Sequence, residues 1–108
     1  MTAYSERAFD ALGDPTRRAV FRRLRAGARS VGEIAKGMDV SRPAVSQHLK
    51  ILKAARLVVD HAEGTRRLYA VDTTGLEEAR KWLDGFWDET LEAFKRAAER
   101  EAARERNR

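Results

Sequence analysis

At 108 residues the chain has the length of one domain with a single modest core. A hydrophobic content of 43% is too high for a disordered segment, and no apolar run reaches membrane-spanning length. The absence of cysteine excludes disulfides and thiolate metal or redox chemistry; with charges in MTAYSERAFD where a secretory signal would be apolar, it points to a cytoplasmic protein.

The net charge of +5 is unevenly spread. Residues 14–69 carry thirteen Lys and Arg against five Asp and Glu, whereas residues 1–13 and 70–108 are each slightly acidic. Residues 5–12 are expected to form a first helix with Ala8, Phe9 and Leu12 apolar, ended by Gly13. Asp14 then caps a second helix, and Pro15 stands in its first turn, where a missing N–H costs nothing. That helix continues over 17–25 with Val20, Phe21 and Leu24 inward and Arg18, Arg22 and Arg25 outward; Gly27 closes it. Ser30-Val31-Gly32-Glu33 is a capping box, in which Ser30 and Glu33 satisfy each other's free N–H groups. It opens a brief helix over 31–36, with Val31, Ile34 and Ala35 apolar. Gly37-Met38-Asp39-Val40 turns the chain into Ser41. Two short helices joined by a four-residue turn containing glycine fit the helix-turn-helix pattern.

The organising stretch is 41–57, SRPAVSQHLKILKAARL. Ser41 is placed to cap it and Pro43 falls in its first turn. Val45, Leu49 and Leu52 form one apolar stripe. Pro43, Ser46, Gln47 and Lys50 point the other way, with Arg42 and Lys53 on one flank. Amides and hydroxyls on such a face suit base edges in a major groove, while ammonium and guanidinium groups suit phosphates. An amphipathic surface helix has the same periodicity; the localised basic excess favours a polyanionic partner. After Leu57 the period changes to two. Residues 57–62 and 66–71 read as a β-hairpin with Glu63-Gly64-Thr65 as its turn, and Arg66 and Arg67 make its tip basic. A basic hairpin directly after a reading helix is a wing able to reach adjacent phosphates.

The runs Asp14-Pro15-Thr16-Arg17, Ser41-Arg42-Pro43-Ala44-Val45-Ser46-Gln47-His48-Leu49 and Gly64-Thr65-Arg66-Arg67-Leu68-Tyr69 resemble the ArsR/SmtB family of winged-helix repressors. The resemblance covers residues 9–94. It implies a mainly α fold with a small β-hairpin: a winged helix-turn-helix of five helices and a two-stranded wing. It also implies a homodimer that binds double-stranded DNA and leaves it when an effector binds. Arg56 departs from the pattern, standing where the family usually has the glycine that ends the recognition helix; a left-handed residue other than glycine is mildly costly. By position, Ser46 and Gln47 are the base-reading candidates. Ser41, Arg42, Lys50, Lys53, Arg66 and Arg67 are the phosphate and wing candidates. His48, beside the apolar stripe, is expected to pack and donate one N–H to phosphate or backbone.

Thr74-Gly75-Leu76-Glu77 reads as a second capping box opening a long helix. Leu76, Ala79, Leu83, Phe86, Leu91, Phe94 and Ala98 follow the 3–4 spacing, and Trp82 and Trp87 widen the stripe. A helix running to Ala103 would be roughly 42 Å long, more than a domain of this size can cover. Part of it packs on its own domain, and the resemblance pairs the rest, with the first helix, against a second subunit. That makes Phe9, Leu83, Phe86, Trp87, Leu91 and Phe94 the dimer-interface candidates. Two recognition helices would then stand about 34–36 Å apart on a palindromic operator. The expected organisation is one domain over 1–108: a DNA-binding core at 5–71, a dimerisation helix at 74–103 and a frayed tail at 104–108.

Metal-sensing members of the family that use thiolates carry cysteines where residues 31–36 stand, and this chain has none. His48 and His61 are the only histidines, one in the reading helix and one in the wing, so no transition-metal set of three or four ligands is expected. No cofactor and no membrane partner are expected; a small molecule or partner protein remains open as effector. Two other classes stand against the DNA-binding repressor. A winged-helix docking module would present apolar groups where Ser46, Gln47 and Lys50 stand. An enzyme would need a convergent set of groups that is not visible, and Asp84, Asp88 and Glu92 form the acidic row of an ordinary solvated helix face.

Overall fold

The computed structural model describes residues 2–108. Among them are five helices and one two-stranded antiparallel sheet, in the order α1 (Ala3–Leu12), α2 (Pro15–Arg22), α3 (Val31–Ala35), α4 (Arg42–Ala54), β1 (Val58–Glu63), β2 (Arg66–Val71) and α5 (Thr73–Arg106). The local signals for helix starts act as expected. Asp14, Ser30 and Ser41 each accept a hydrogen bond from the backbone N–H three residues on, and Ser30 and Glu33 close the full capping box. Thr2 does the same for α1, which therefore begins at Ala3, two residues before the expected start.

Differences from expectation fall at helix ends. The second helix stops at Arg22, and the chain passes through turns to Gly27, whose φ of +138° suits glycine. The start of α5 is capped by Asp72, whose carboxylate accepts from the Thr74 N–H, so Thr74 is inside the helix and the Thr74/Glu77 box does not form. Asp72 is held there because its own N–H donates to the Leu57 carbonyl. At the other end α5 continues to Arg106 and takes in most of the segment expected to fray.

The core gathers one face from each element. Val20, Leu24, Ile34, Val45, Leu49, Leu52, Leu57 and Val58 are buried, with Ala8 and Ala11 of α1 and Ala79 of α5 closing around them. In the wing, Val58 pairs with Val71 and the register runs to Glu63 opposite Arg66, leaving a two-residue turn in which Gly64 has φ +62°. Glu63, expected in the turn, is therefore the last strand residue. Arg29 and Tyr69 exchange two backbone hydrogen bonds, which ties the segment before α3 to the outside of β2.

The end of α4 is a joint. Arg56 takes the left-handed conformation at φ +57°, so the helix ends in the geometry that suits glycine although no glycine is there. Arg56 N–H donates to the Lys53 carbonyl and Leu57 N–H to the Leu52 carbonyl, the paired bonds of a Schellman ending. The Arg56 guanidinium lies 4.4 Å from the centre of the Tyr4 ring. Its carbonyl accepts from Gly75 N–H at 2.8 Å, which sets the start of α5 directly on the end of α4.

Candidate nucleic-acid interface

The reading helix is two-sided as its spacing requires. Val45, Leu49 and Leu52 are fully buried, while Ser46, Gln47, Lys50 and Lys53 are exposed. Ser41 and Arg42 are exposed at its start, with the Ser41 hydroxyl engaged by the Ala44 N–H. Ser46 and Gln47 stand free on the outer face with a hydroxyl and an amide to offer. His48 is half-buried, and its Nδ1 is buried with no hydrogen-bond partner among the described residues. Of the phosphate or backbone bond expected of it, no backbone bond is made at that nitrogen.

The cations beside this face are organised by two carboxylates whose part the sequence did not disclose. Lys53 Nζ lies 2.6 Å from Asp60 Oδ1, and Arg67 Nη1 lies 2.9 Å from Asp60 Oδ2. Asp60 thus binds a cation of the reading helix and one of the wing at once. Its side chain is only 8% exposed, against 56% and 55% for the two cations. The Lys53 ammonium holds the Asp60 carboxyl below the usual carboxylate range, against the opposing push of burial, and Arg67 reinforces it. The carboxylate is therefore charged throughout the neutral range. One signal for it was present: Asp60 follows Val58 at the strand period, which turns a polar residue toward the core-facing side.

Glu33 plays a similar part on the other side of the wing. Its Oε1 accepts both the Ser30 N–H of the capping box and the Arg66 guanidinium. The Ser30 backbone and side chain lower the Glu33 carboxyl below its ordinary range, with Arg66 and Arg29 adding weaker attraction. The capping role was legible; the partner, thirty-three residues away, was not. Between α3, the start of α4 and the wing lies an open cleft of about 480 Å³, with Glu33, Arg42, Arg66, Arg67 and Tyr69 among its walls.

The interface candidates on α5 lie apart from these groups. Phe9 is half-buried and meets Trp82 edge-on at 5.5 Å, and Trp82 stacks on Phe86 at 5.4 Å. Leu83, Phe86, Trp87, Leu91 and Phe94 are all exposed, Phe94 by 69%. No group of three or more His, Cys, Asp or Glu side chains is arranged to hold a metal ion among the described residues. No helix there is long and apolar enough to cross a membrane.

Comparison with known proteins agrees with this geometry. A family described as a helix-turn-helix domain matches residues 12–61. The HTH-type transcriptional regulator Rv2034 of Mycobacterium tuberculosis is 55% identical, covering 82% of this chain and 83% of that protein. The transcriptional repressor SdpR of Bacillus subtilis is 38% identical over 72% of this chain and 87% of its own. Among solved structures, the homodimeric winged helix-turn-helix DNA-binding domain of a Mycobacterium bovis protein, described as a possible ArsR-family transcriptional regulator, superposes with a TM-score of 0.62. It is 30% identical and covers 83% of each chain.

Proposed function

Because the chain belongs to the ArsR/SmtB family of winged-helix transcriptional regulators, we propose that it is a homodimeric, sequence-specific DNA-binding repressor of a two-fold symmetric operator. In this reading it works without a metal ion and has no enzymatic activity. The observation that carries the proposal is the outer face of α4, where Ser46, Gln47 and Lys50 are exposed directly opposite a fully buried stripe. A docking helix would bring apolar side chains to that place. Lys50 and the wing cations supply phosphate contacts that give affinity without sequence preference, and Ser46 and Gln47 supply the base contacts.

The name of SdpR and the homodimeric state of the Mycobacterium bovis domain support repression and pairing. The lack of cysteine, with two histidines that lie one in α4 and one in the wing, supports a signal other than a transition metal, either a small molecule or a partner protein. Footprinting on the DNA upstream of the chain's own coding sequence, with a chelator present, tests this reading. The expected result is a protected site with two halves about 34–36 Å apart, one helical turn. Protection that is absent, or spread evenly over any DNA, would overturn it.

A further inference from the structure

The cleft between α3, the start of α4 and the wing holds three arginines and one carboxylate. Arg42 comes from the reading helix, and Arg66 and Arg67 from the wing. Arg42 lies across the first turn of α3, where Gly32 leaves room: a methyl group there would stand 3.2 Å from the guanidinium carbon. Arg67 is already paired with Asp60, which it shares with Lys53. Arg66 is engaged by Glu33, and Arg42 has no carboxylate at ion-pair distance among the described residues. The two carboxylates differ in kind. Asp60 is nearly buried and held by two cations, whereas the Glu33–Arg66 pair is half-exposed on both sides and open to solvent. Exposed pairs of that kind are worth little, so a stronger anion can replace the carboxylate.

From this geometry we infer that the cleft is a seat for one DNA backbone phosphate, and that Glu33 occupies Arg66 in the free protein and is exchanged for the phosphodiester on binding. Arg66 provides a fork of N–H donors that fits either anion, and Arg42 adds a second guanidinium that has no anion until DNA arrives. Glu33 thereby sets DNA affinity without touching a base. The inference rests on the DNA-binding reading above, but it concerns backbone contacts and so applies equally to operator and random duplex.

Glu33→Gln tests it. Glutamine keeps the capping box, because its side-chain carbonyl still accepts the Ser30 N–H, but it removes the charge that holds Arg66. Fluorescence anisotropy would compare wild type, Glu33→Gln, Arg66→Ala and the double variant on a labelled upstream duplex and on a random duplex, over a salt series. Glu33→Gln is expected to tighten binding about threefold to tenfold on both duplexes, with one weak pair released in each subunit. The salt dependence should steepen by up to about one per subunit. In the Arg66→Ala background the same change should give no gain. An unchanged affinity would overturn the exchange. A weaker Glu33→Gln would show that Glu33 orients Arg66 for DNA, and a gain that persists without Arg66 would reduce the effect to general charge; either result also overturns it. If wild type binds neither duplex, the DNA-binding reading itself fails and takes the seat with it.

Discussion

Gln47 stands exposed on the outer face of α4 with an amide that both donates and accepts, the pattern that matches the N6 and N7 edge of adenine. A bidentate contact of this kind is worth about 1–3 kcal/mol of discrimination. Gln47→Ala should therefore lower affinity for the operator by about fivefold to a hundredfold for each half-site while leaving random-duplex binding nearly unchanged. Competition binding reads the two directly; equal losses on both would show that the amide does not read bases. At this scale the sequence was informative wherever a side chain acts on its own neighbours. Ser41 caps α4 within three residues, and the lack of glycine at Arg56 announced a strained helix end. Tyr4 was silent, and Asp60 showed only its inward strand position, because their partners, Arg56 and the pair Lys53 and Arg67, come together only through tertiary packing.

Among the elements, α4 and the wing act as one unit because Asp60 binds a cation from each. The link from that unit to α5 is Gly75. A Cβ there would stand 2.4 Å from the Ala55 carbonyl oxygen and 2.8 Å from that of Arg56, and both are backbone atoms with little room to retreat. Gly75→Ala should destabilise the fold by about 1–3 kcal/mol, the usual cost of overpacking. Thermal melts would register this as a fall of several degrees or more, at roughly 4–8 °C per kcal/mol. A melting temperature equal to wild type would mean that α5 does not sit on the end of α4 as described. This contact also explains the misplaced start of α5. Thr74 and Glu77 form a valid box in the sequence, but Asp72 is an equally good cap, and its N–H is fixed two residues earlier by the Leu57 carbonyl. Local pattern offered both; packing against the joint chose between them.

Across the whole molecule the decisive feature is how much of α5 has no cover. The helix has 34 residues, about 51 Å, and stretches the chain to 75 × 26 × 21 Å. Gly75 and Ala79 are its buried residues, both near the start, whereas Leu83, Trp87, Leu91 and Phe94 continue one apolar stripe into solvent. The stripe was legible from its spacing. How much of it packs on its own domain was not, since that depends on how α1 lies against it, with Phe9 meeting Trp82 edge-on. A stripe of this length is characteristic of an interface, and a second copy of the chain would bury it while setting two copies of α4 side by side.

The most direct measurement is sedimentation velocity of the protein with and without a duplex carrying its upstream sequence, for wild type and Trp87→Ala. Wild type is expected to sediment with the mass of two chains, one such pair on each duplex, and Trp87→Ala as a loosened pair with correspondingly weaker DNA binding. A single chain on the duplex, or a dimer that Trp87→Ala leaves intact, would contradict it.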